Sequence, residues 1–348
     1  MCIRDRLWSI SAPGHAQGAD AAAGERPRIG LVLGGGGARG AAHVGVLKVL
    51  EEEHIPVDMV VGTSMGAIVA GLYATGMSAA EIEQVMLSMD WNDLFNDYPN
   101  REDLSFRRKR DDFRYTFDAQ IGYNENGLQI PLAFIRGQKF DLKLNELTLP
   151  VFDIEDFDEL PIPFRAVAAD LETGKDVVLG KGSLAKAIRA SMAVPAAFDP
   201  VIIDDQVLVD GGIANNVPVD VARDLGADIL IVVDVGSGLY TRAEIRDALD
   251  ISEQLANMLF SLNTEAQLNS LDDQDVLIKP PLGDFSSGDF TNTGQAVPAG
   301  VAGAQQVLDG LRRYSLDPEA YAAHRSSQKR RSREPPVIDF IRIVNHSN

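Results

Sequence analysis

One cysteine, Cys2, occurs in 348 residues. That excludes an intramolecular disulfide and any zinc site built on cysteine. Basic residues are scarce as well: 32 Lys and Arg stand against 51 Asp and Glu, for a net charge of −19. A nucleic-acid-binding domain shows the opposite balance, so no nucleic-acid partner is expected. Attraction to an anionic membrane by overall charge is excluded too, and any lipid contact has to be local. No run of about 18 apolar residues exists to span a membrane as a helix. Histidines number five, His15, His43, His54, His324 and His346. Carboxylates do not cluster at ligand spacing, so neither metal nor cofactor is expected. The pair Asp204-Asp205 has the chemistry of a hairpin turn instead.

With 45% hydrophobic and 24% charged residues, the chain is globular and long enough for one large domain or two small ones. Its ends differ from its middle. Met1-Cys2-Ile3-Arg4-Asp5-Arg6 resembles translated sequencing adaptor and is set aside. Residues 7–24 are rich in small side chains, and Gly14-His15-Ala16-Gln17 reads as the end of a signal peptide, against a plain unstructured leader. Residues 326–336 are polar and basic and end Glu-Pro-Pro, a linker composition. Residues 337–344, Val-Ile-Asp-Phe-Ile-Arg-Ile-Val, then read as a β-strand. It is either an edge strand of the main sheet or the start of a second domain. The expected division is a leader at 1–26, a folded unit at 27–318, a linker at 319–336 and that strand at 337–348.

Between the ends, apolar strands alternate with helical patterns. Ile29-Gly30-Leu31-Val32-Leu33 suits a buried parallel strand, and Val46, Leu47 and Leu50 follow at helical spacing. Met59-Val60-Val61 is the next strand, and residues 65–73 form a small-residue apolar helix. Ser78-Ala79-Ala80-Glu81 is a capping box. This order predicts an α/β fold, a three-layer α/β/α sandwich on a mainly parallel sheet. Residues 91–138 break the rhythm: Phe113 to Phe117 alternates with period two and Asn124-Glu125-Asn126-Gly127 is a turn cluster. They read as an excursion outside the sheet that could cover the active site. Phe164 to Ala169 restores the core, Glu172-Thr173-Gly174-Lys175 reads as a hairpin turn, Ser183 caps a helix through Ala193, and residues 228–235 read as the final strand.

Three glycine-bearing turns punctuate this pattern. Gly35-Gly36-Gly37-Ala38-Arg39-Gly40 follows the first strand, and Gly62-Thr63-Ser64-Met65-Gly66 follows the second. Asp210-Gly211-Gly212 closes the strand-like Val207-Leu208-Val209. The middle one is Gly-x-Ser-x-Gly, in which flanking glycines permit a strained strand-to-helix turn with serine at its tip. Together, in this order, the three point to a hydrolase. They resemble the bacterial patatin-like phospholipases, defined by a glycine-rich oxyanion loop, a Gly-x-Ser-x-Gly serine and a later Asp-Gly-Gly or Asp-Gly-Ala aspartate. The block Arg189-Ala190-Ser191-Met192-Ala193-Val194-Pro195-Ala196-Ala197-Phe198 is similar to a family stretch before that aspartate. The resemblance covers residues 28 to 311, without departure at the motif positions.

The chemistry follows from these positions. Ser64 needs a base to take its proton. In a Ser-His-Asp hydrolase with this elbow the histidine comes last, yet only His324 and His346 follow Asp210, both in or beyond the polar terminal segment. His43 falls in the first helix, where packing or a local hydrogen bond is its expected role. Asp210 is then the natural base, and the resemblance implies a Ser64–Asp210 dyad. The amides of Gly35, Gly36 and Gly37 form the oxyanion loop, with that of Met65 as a further donor. A dinucleotide site is the rival reading of the glycines, but the acid it wants, Asp58, precedes its strand. Arg39 either orients the loop or meets a lipid phosphate, and Arg107-Arg108-Lys109-Arg110 is either a solvated loop or a headgroup contact. Gly40, Gly62, Gly66, Gly211 and Gly212 give the turns their freedom. The resemblance implies hydrolysis of a phospholipid or lysophospholipid at a membrane surface by an acyl-enzyme route. A neutral-lipid or small-ester hydrolase, and an idle lipid-binding passenger domain, stay open, as does a homodimer. Some exported family members continue into a POTRA module and an outer-membrane barrel. The strand at 337–344 resembles the start of that module, so the expectation is export, to the periplasm, the outer membrane or beyond.

Overall fold

A computed structural model describes residues 26–328 apart from 100, 101, 103, 112–121, 125, 126, 130–134, 196, 240, 243, 244, 246 and 247. β1 (Ile29–Leu33) is buried at every position. The reason is a sheet covered on both faces, where successive side chains enter opposite cores. Ile29, Leu31 and Leu33 pack in one core and Val32 in the other. After the glycine loop a 3-10 turn leads into α1 (Ala42–Glu52). β2 (Met59–Thr63) runs into α2 (Met65–Ala74), whose small and aliphatic residues are all buried. α3 (Ala79–Ser88) starts on the Ser78–Glu81 capping box.

The short helices α4 (Trp91–Leu94) and α5 (Phe106–Asp111) and the hairpin β3 (Gly122–Asn124) to β4 (Gly127–Gln129) add no strand to the main sheet. The run Arg107–Arg110 is therefore helical, not a loop. The alternation at Phe113–Phe117 lies outside the described residues. α6 (Gln138–Thr148) precedes β5 (Phe164–Asp170) and its hairpin partner β6 (Asp176–Leu179). α7 (Leu184–Ser191) begins where the Ser183 hydroxyl accepts the Lys186 N–H. It stops two residues short of Ala193, whose carbonyl instead accepts the N–H of Asp210 at 2.9 Å. β7 (Val201–Ile203) and β8 (Gln206–Asp210) are joined by Asp204 and Asp205, with φ of 47° and 63°. Two residues at positive φ match the right-handed twist of a two-residue hairpin.

α8 (Gly212–Asn215), α9 (Val219–Asp224), β9 (Ile229–Val233) and α10 (Ala248–Leu268) come next. β9 is not the last strand: the three-residue β10 (Val276–Ile278) adds parallel to it at the sheet edge. α11 (Ala296–Gln306), α12 (Leu308–Arg312) and α13 (Pro318–Ser327) complete the described chain. The boundary expected at residue 318 moves outward. In α13, Tyr321 is buried and stacks on His54 at 5.0 Å, Arg325 meets Glu51 at 3.1 Å, and Gln328 donates to the Val57 carbonyl at 2.6 Å. Residues 319–328 thus belong to the folded unit and not to a linker.

The main sheet has the order β10-β9-β1-β2-β5-β8-β7, with β6 also paired to β5. β10, β9, β1, β2 and β5 run parallel, and β6 and β8 antiparallel to β5. Helices α1, α2, α7 and α11 cover one face, and α8, α9 and α10 the other. The fold is a three-layer α/β/α sandwich. Among the described residues no helix is long and apolar enough to cross a membrane.

Candidate active site

Sheet register brings the site together. Thr63 at the end of β2 pairs with Val167 of β5, and the next residue of β5, Ala168, pairs with Asp210 of β8. Ser64 and Asp210 therefore flank one strand at the same level. With strands about 4.8 Å apart, two side chains reaching over a single strand can touch, and they do. The Ser64 hydroxyl donates to Oδ2 of Asp210 at 2.6 Å. Oδ1 of the same carboxylate accepts the Gly212 N–H at 2.8 Å.

Ser64 has φ 54° and ψ −124°, a backbone state that costs about 1–3 kcal/mol and persists only where neighbours hold it. Two contacts hold it. Its N–H donates to the Ser191 hydroxyl at 2.9 Å, and that hydroxyl donates to the Val167 carbonyl at 2.5 Å. The flanking glycines are a packing requirement: a Cβ on Gly66 would lie 2.1 Å from the Leu33 carbonyl oxygen, and one on Gly62 would lie 2.5 Å from that of Gly66. Gly211 sits as tightly against the Val167 carbonyl, and Gly212 lies beside Phe260 and Asn216.

The glycine loop lies beside the elbow, where Gly34 and Gly35 donate to the carbonyls of Val233 and Asn216 at 3.0 and 3.1 Å. Gly35, Gly36 and Gly37 all line the cavity together with Ser64 and Met65, but the Gly35 N–H is already engaged within the fold. Gly37 takes φ 56° and lies close to the Ser287 carbonyl, which accepts the Ala38 N–H at 2.7 Å. Arg39 is committed to structure. Its guanidinium donates to the carbonyls of Val235, Gly236, Gly283 and Phe285 at 2.6–3.2 Å, tying the loop to two others. Gly40 packs its bare Cα on Met65. His43 is buried and its Nε2–H donates to the Gly34 carbonyl at 2.8 Å; burial pushes its pKa down to about 4, so the ring is neutral.

Asp210 is buried, and burial raises its pKa to about 6 against the opposing hydrogen bonds from Ser64 and Gly212. A carboxylate poised there is ionised at neutral pH yet a far better proton acceptor than one in water. Among the described residues no histidine lines the cavity, and no group of three or more His, Cys, Asp or Glu could hold a metal ion. The cavity over the dyad measures about 990 Å³. Its wall is apolar at Met192, Val194, Phe198 and Phe290, and polar at Asp234, Glu265 and Lys279.

Three contributors carry no motif of their own. Ser191 sits in the Arg189–Phe198 block, but nothing local marks its hydroxyl as a support for Ser64. Asn263 of α10 donates to the Gly212 and Ile213 carbonyls at 2.7 and 3.2 Å and accepts the Asn216 N–H at 2.9 Å. Lys279 follows a strand too short to stand out and meets Asp234 at 3.4 Å.

A family model described as "Patatin-like phospholipase" matches residues 31–223, over half of the chain. A patatin-like phospholipase domain-containing protein of Caenorhabditis elegans is 40% identical over 212 residues, 60% of this chain and 14% of its own length. Human patatin-like phospholipase domain-containing protein 6 is 28% identical over 338 residues, 90% of this chain and 22% of its own. The chain thus spans under a quarter of the length of both relatives. Among solved structures, VipD from Legionella pneumophila aligns with a TM-score of 0.44 and 17% identity over 81% of this chain and 67% of that one. With the family model covering all three glycine turns, the chain belongs to the patatin-like phospholipase family.

Proposed function

We propose that the chain is a serine lipid acyl hydrolase of phospholipase A or lysophospholipase type, acting through Ser64 and Asp210. The observation that carries this reading is the 2.6 Å hydrogen bond between them on a strained elbow, at the floor of a large, partly apolar cavity. Asp210 takes the hydroxyl proton as Oγ attacks the acyl carbonyl carbon. The oxyanion faces the amides of Gly36, Gly37 and Met65, at the start of α2, where the helix dipole favours negative charge. Collapse of the intermediate breaks the ester bond, and the proton on Asp210 passes to the departing alcohol. Water then attacks the acyl-enzyme with Asp210 again as base, releasing the fatty acid and restoring the serine. Neither cofactor nor metal enters the scheme.

Space for on the order of thirty water-sized groups accommodates an acyl chain, with Phe198 and Phe290 as apolar wall. The test is mass spectrometry of products from mixed phospholipid vesicles. Fatty acid and lysolipid from the wild type and none from Ser64→Ala support the reading. Release of a short-chain ester product alone favours a small-ester hydrolase, and no product at all an idle lipid-binding domain. Export is proposed alongside, supported by the small-residue segment 7–24 and by residues 337–344, whose sequence resembles the first strand of a POTRA module. Localisation of the product of the complete gene by cell fractionation tests it, and recovery in the cytoplasm would overturn it.

A further inference from the structure

The helix that walls the cavity carries an uncovered apolar ridge. Ile251, Leu255, Met258, Leu259 and Leu262 of α10 are each 45–68% exposed. At about 100° per residue they fall in one stripe about 100° wide. Of the cavity-lining residues of the same helix, Ser261 and Glu265 fall on the face adjoining this stripe, while Phe260 and Thr264 turn away from it. Ser261 and Glu265 are exposed and line the cavity at once, so they form its rim, and Met258 and Leu262 stand directly beside that rim. A sixth exposed apolar residue, Leu239, follows Gly236, Ser237 and Gly238, which line the same mouth. Isolated exposed leucines need no explanation, but a continuous ridge of this size does.

We propose that this ridge is a lipid-docking edge, which sinks into the acyl boundary of a membrane so that the cavity mouth opens onto its substrate. The proposal rests on the lipid acyl hydrolase reading. The lipid surface is favoured over other occupants because the ridge is continuous with the rim through which an acyl chain has to pass. Charge defines the kind of surface. The segment 248–268 contains no Lys or Arg, and the chain carries a net charge of −19. An interfacial helix without basic residues gains nothing from anionic headgroups and binds by apolar burial alone. The matching surface is zwitterionic or neutral lipid.

The experiment is co-sedimentation of full-length Ser64→Ala protein, which cannot consume the lipid, with phosphatidylcholine vesicles at about 0.1 M and about 0.5 M salt. Binding is expected to be insensitive to salt and to fall at least about tenfold when Leu255→Ser, Leu259→Ser and Leu262→Ser are combined. If that combination fails to fold, Leu255→Ser with Leu262→Ser is read in the same way. In the background with Ser64 intact, turnover of a dissolved nitrophenyl ester is expected within twofold of the wild type, while turnover of vesicle lipid falls with binding. Unchanged vesicle binding by the ridge variants overturns the proposal. So does binding that needs anionic lipid, or a dimer that the ridge substitutions dissociate without altering vesicle binding. Loss of ester turnover in the wild type itself would instead sink the hydrolase reading, and the co-sedimentation would still report on the ridge.

Discussion

Ser191 holds both members of the dyad in place. Its hydroxyl accepts the Ser64 N–H at 2.9 Å, and its carbonyl accepts the Gly211 N–H at 3.3 Å, one residue after Asp210. Replacing Ser191 with alanine leaves a buried amide at a strained residue without its acceptor, a cost of about 1–3 kcal/mol. The expected outcome is a lower melting temperature together with an activity loss of about tenfold or more, carried in kcat and not in KM. Threonine, which keeps the hydroxyl, is expected to recover part of both. Wild-type kinetics in Ser191→Ala would show that the elbow holds itself.

Asp210 links pH, stability and rate. Its folded pKa of about 6 lies above the roughly 3.9 of an unfolded aspartate. Folding therefore takes up a proton between those values, and the stability this group contributes is full below about pH 4 and lost as pH rises through about 6. Activity runs the other way, since only the carboxylate accepts the serine proton. The value of kcat/KM on a dissolved ester is expected to climb to a plateau above about pH 6.

Asp210→Asn separates the two effects. The amide cannot take the proton, and turnover is expected to fall about 10²–10⁴-fold. The same change removes a buried charge, so at pH 8 the variant is expected to be more stable than the wild type by about 2–3 kcal/mol, an advantage absent below about pH 4. Thermal melts at both pH values check this, and a less stable variant at pH 8 would contradict the buried-charge argument.

How much of this was legible in the sequence divides by range. The two strand–turn–helix units and the Asp-Gly-Gly turn are local patterns, and the sheet built on them follows from their alternation. The glycine spacing around Ser64 is a local pattern, but its packing cause is not, since Gly66 approaches the Leu33 carbonyl of the neighbouring strand. The Ser191 support, the Arg39 bonds to four carbonyls and the Asn263 clamp on α8 arise where segments distant in sequence meet, and no spacing records them. β10 is not legible because three residues are too few to show a period. α13 was hidden by its polar surface, since Tyr321 is its one buried residue. Helix α5 was masked by its charge, the feature that made it read as a loop.

Arg39 offers a direct contrast between structure and recognition. All of its described hydrogen bonds run to backbone carbonyls. Arg39→Ala is therefore expected to reduce turnover of phospholipid and of a dissolved neutral ester by the same factor, about tenfold or more. A loss confined to the phospholipid would show that the guanidinium meets the phosphate.

Histidine substitutions are expected to be mild away from the loop. His324 lies half-buried in α13 beside Arg26 and Gln328, with α13 packed against the sequence around His54 and not lining the cavity. His324→Ala is expected to keep ester turnover within about twofold, and so is His346→Ala. A severe loss at either would restore a serine–histidine–aspartate arrangement.

The most direct measurement is intact-protein mass spectrometry after treatment with a fluorophosphonate, with peptide mapping of the adduct. The account predicts a single adduct on Ser64 in the wild type, none on Ser64→Ala, and labelling of Asp210→Asn slowed about 10²-fold or more. An adduct on another residue, or labelling of Asp210→Asn at the wild-type rate, would contradict the dyad.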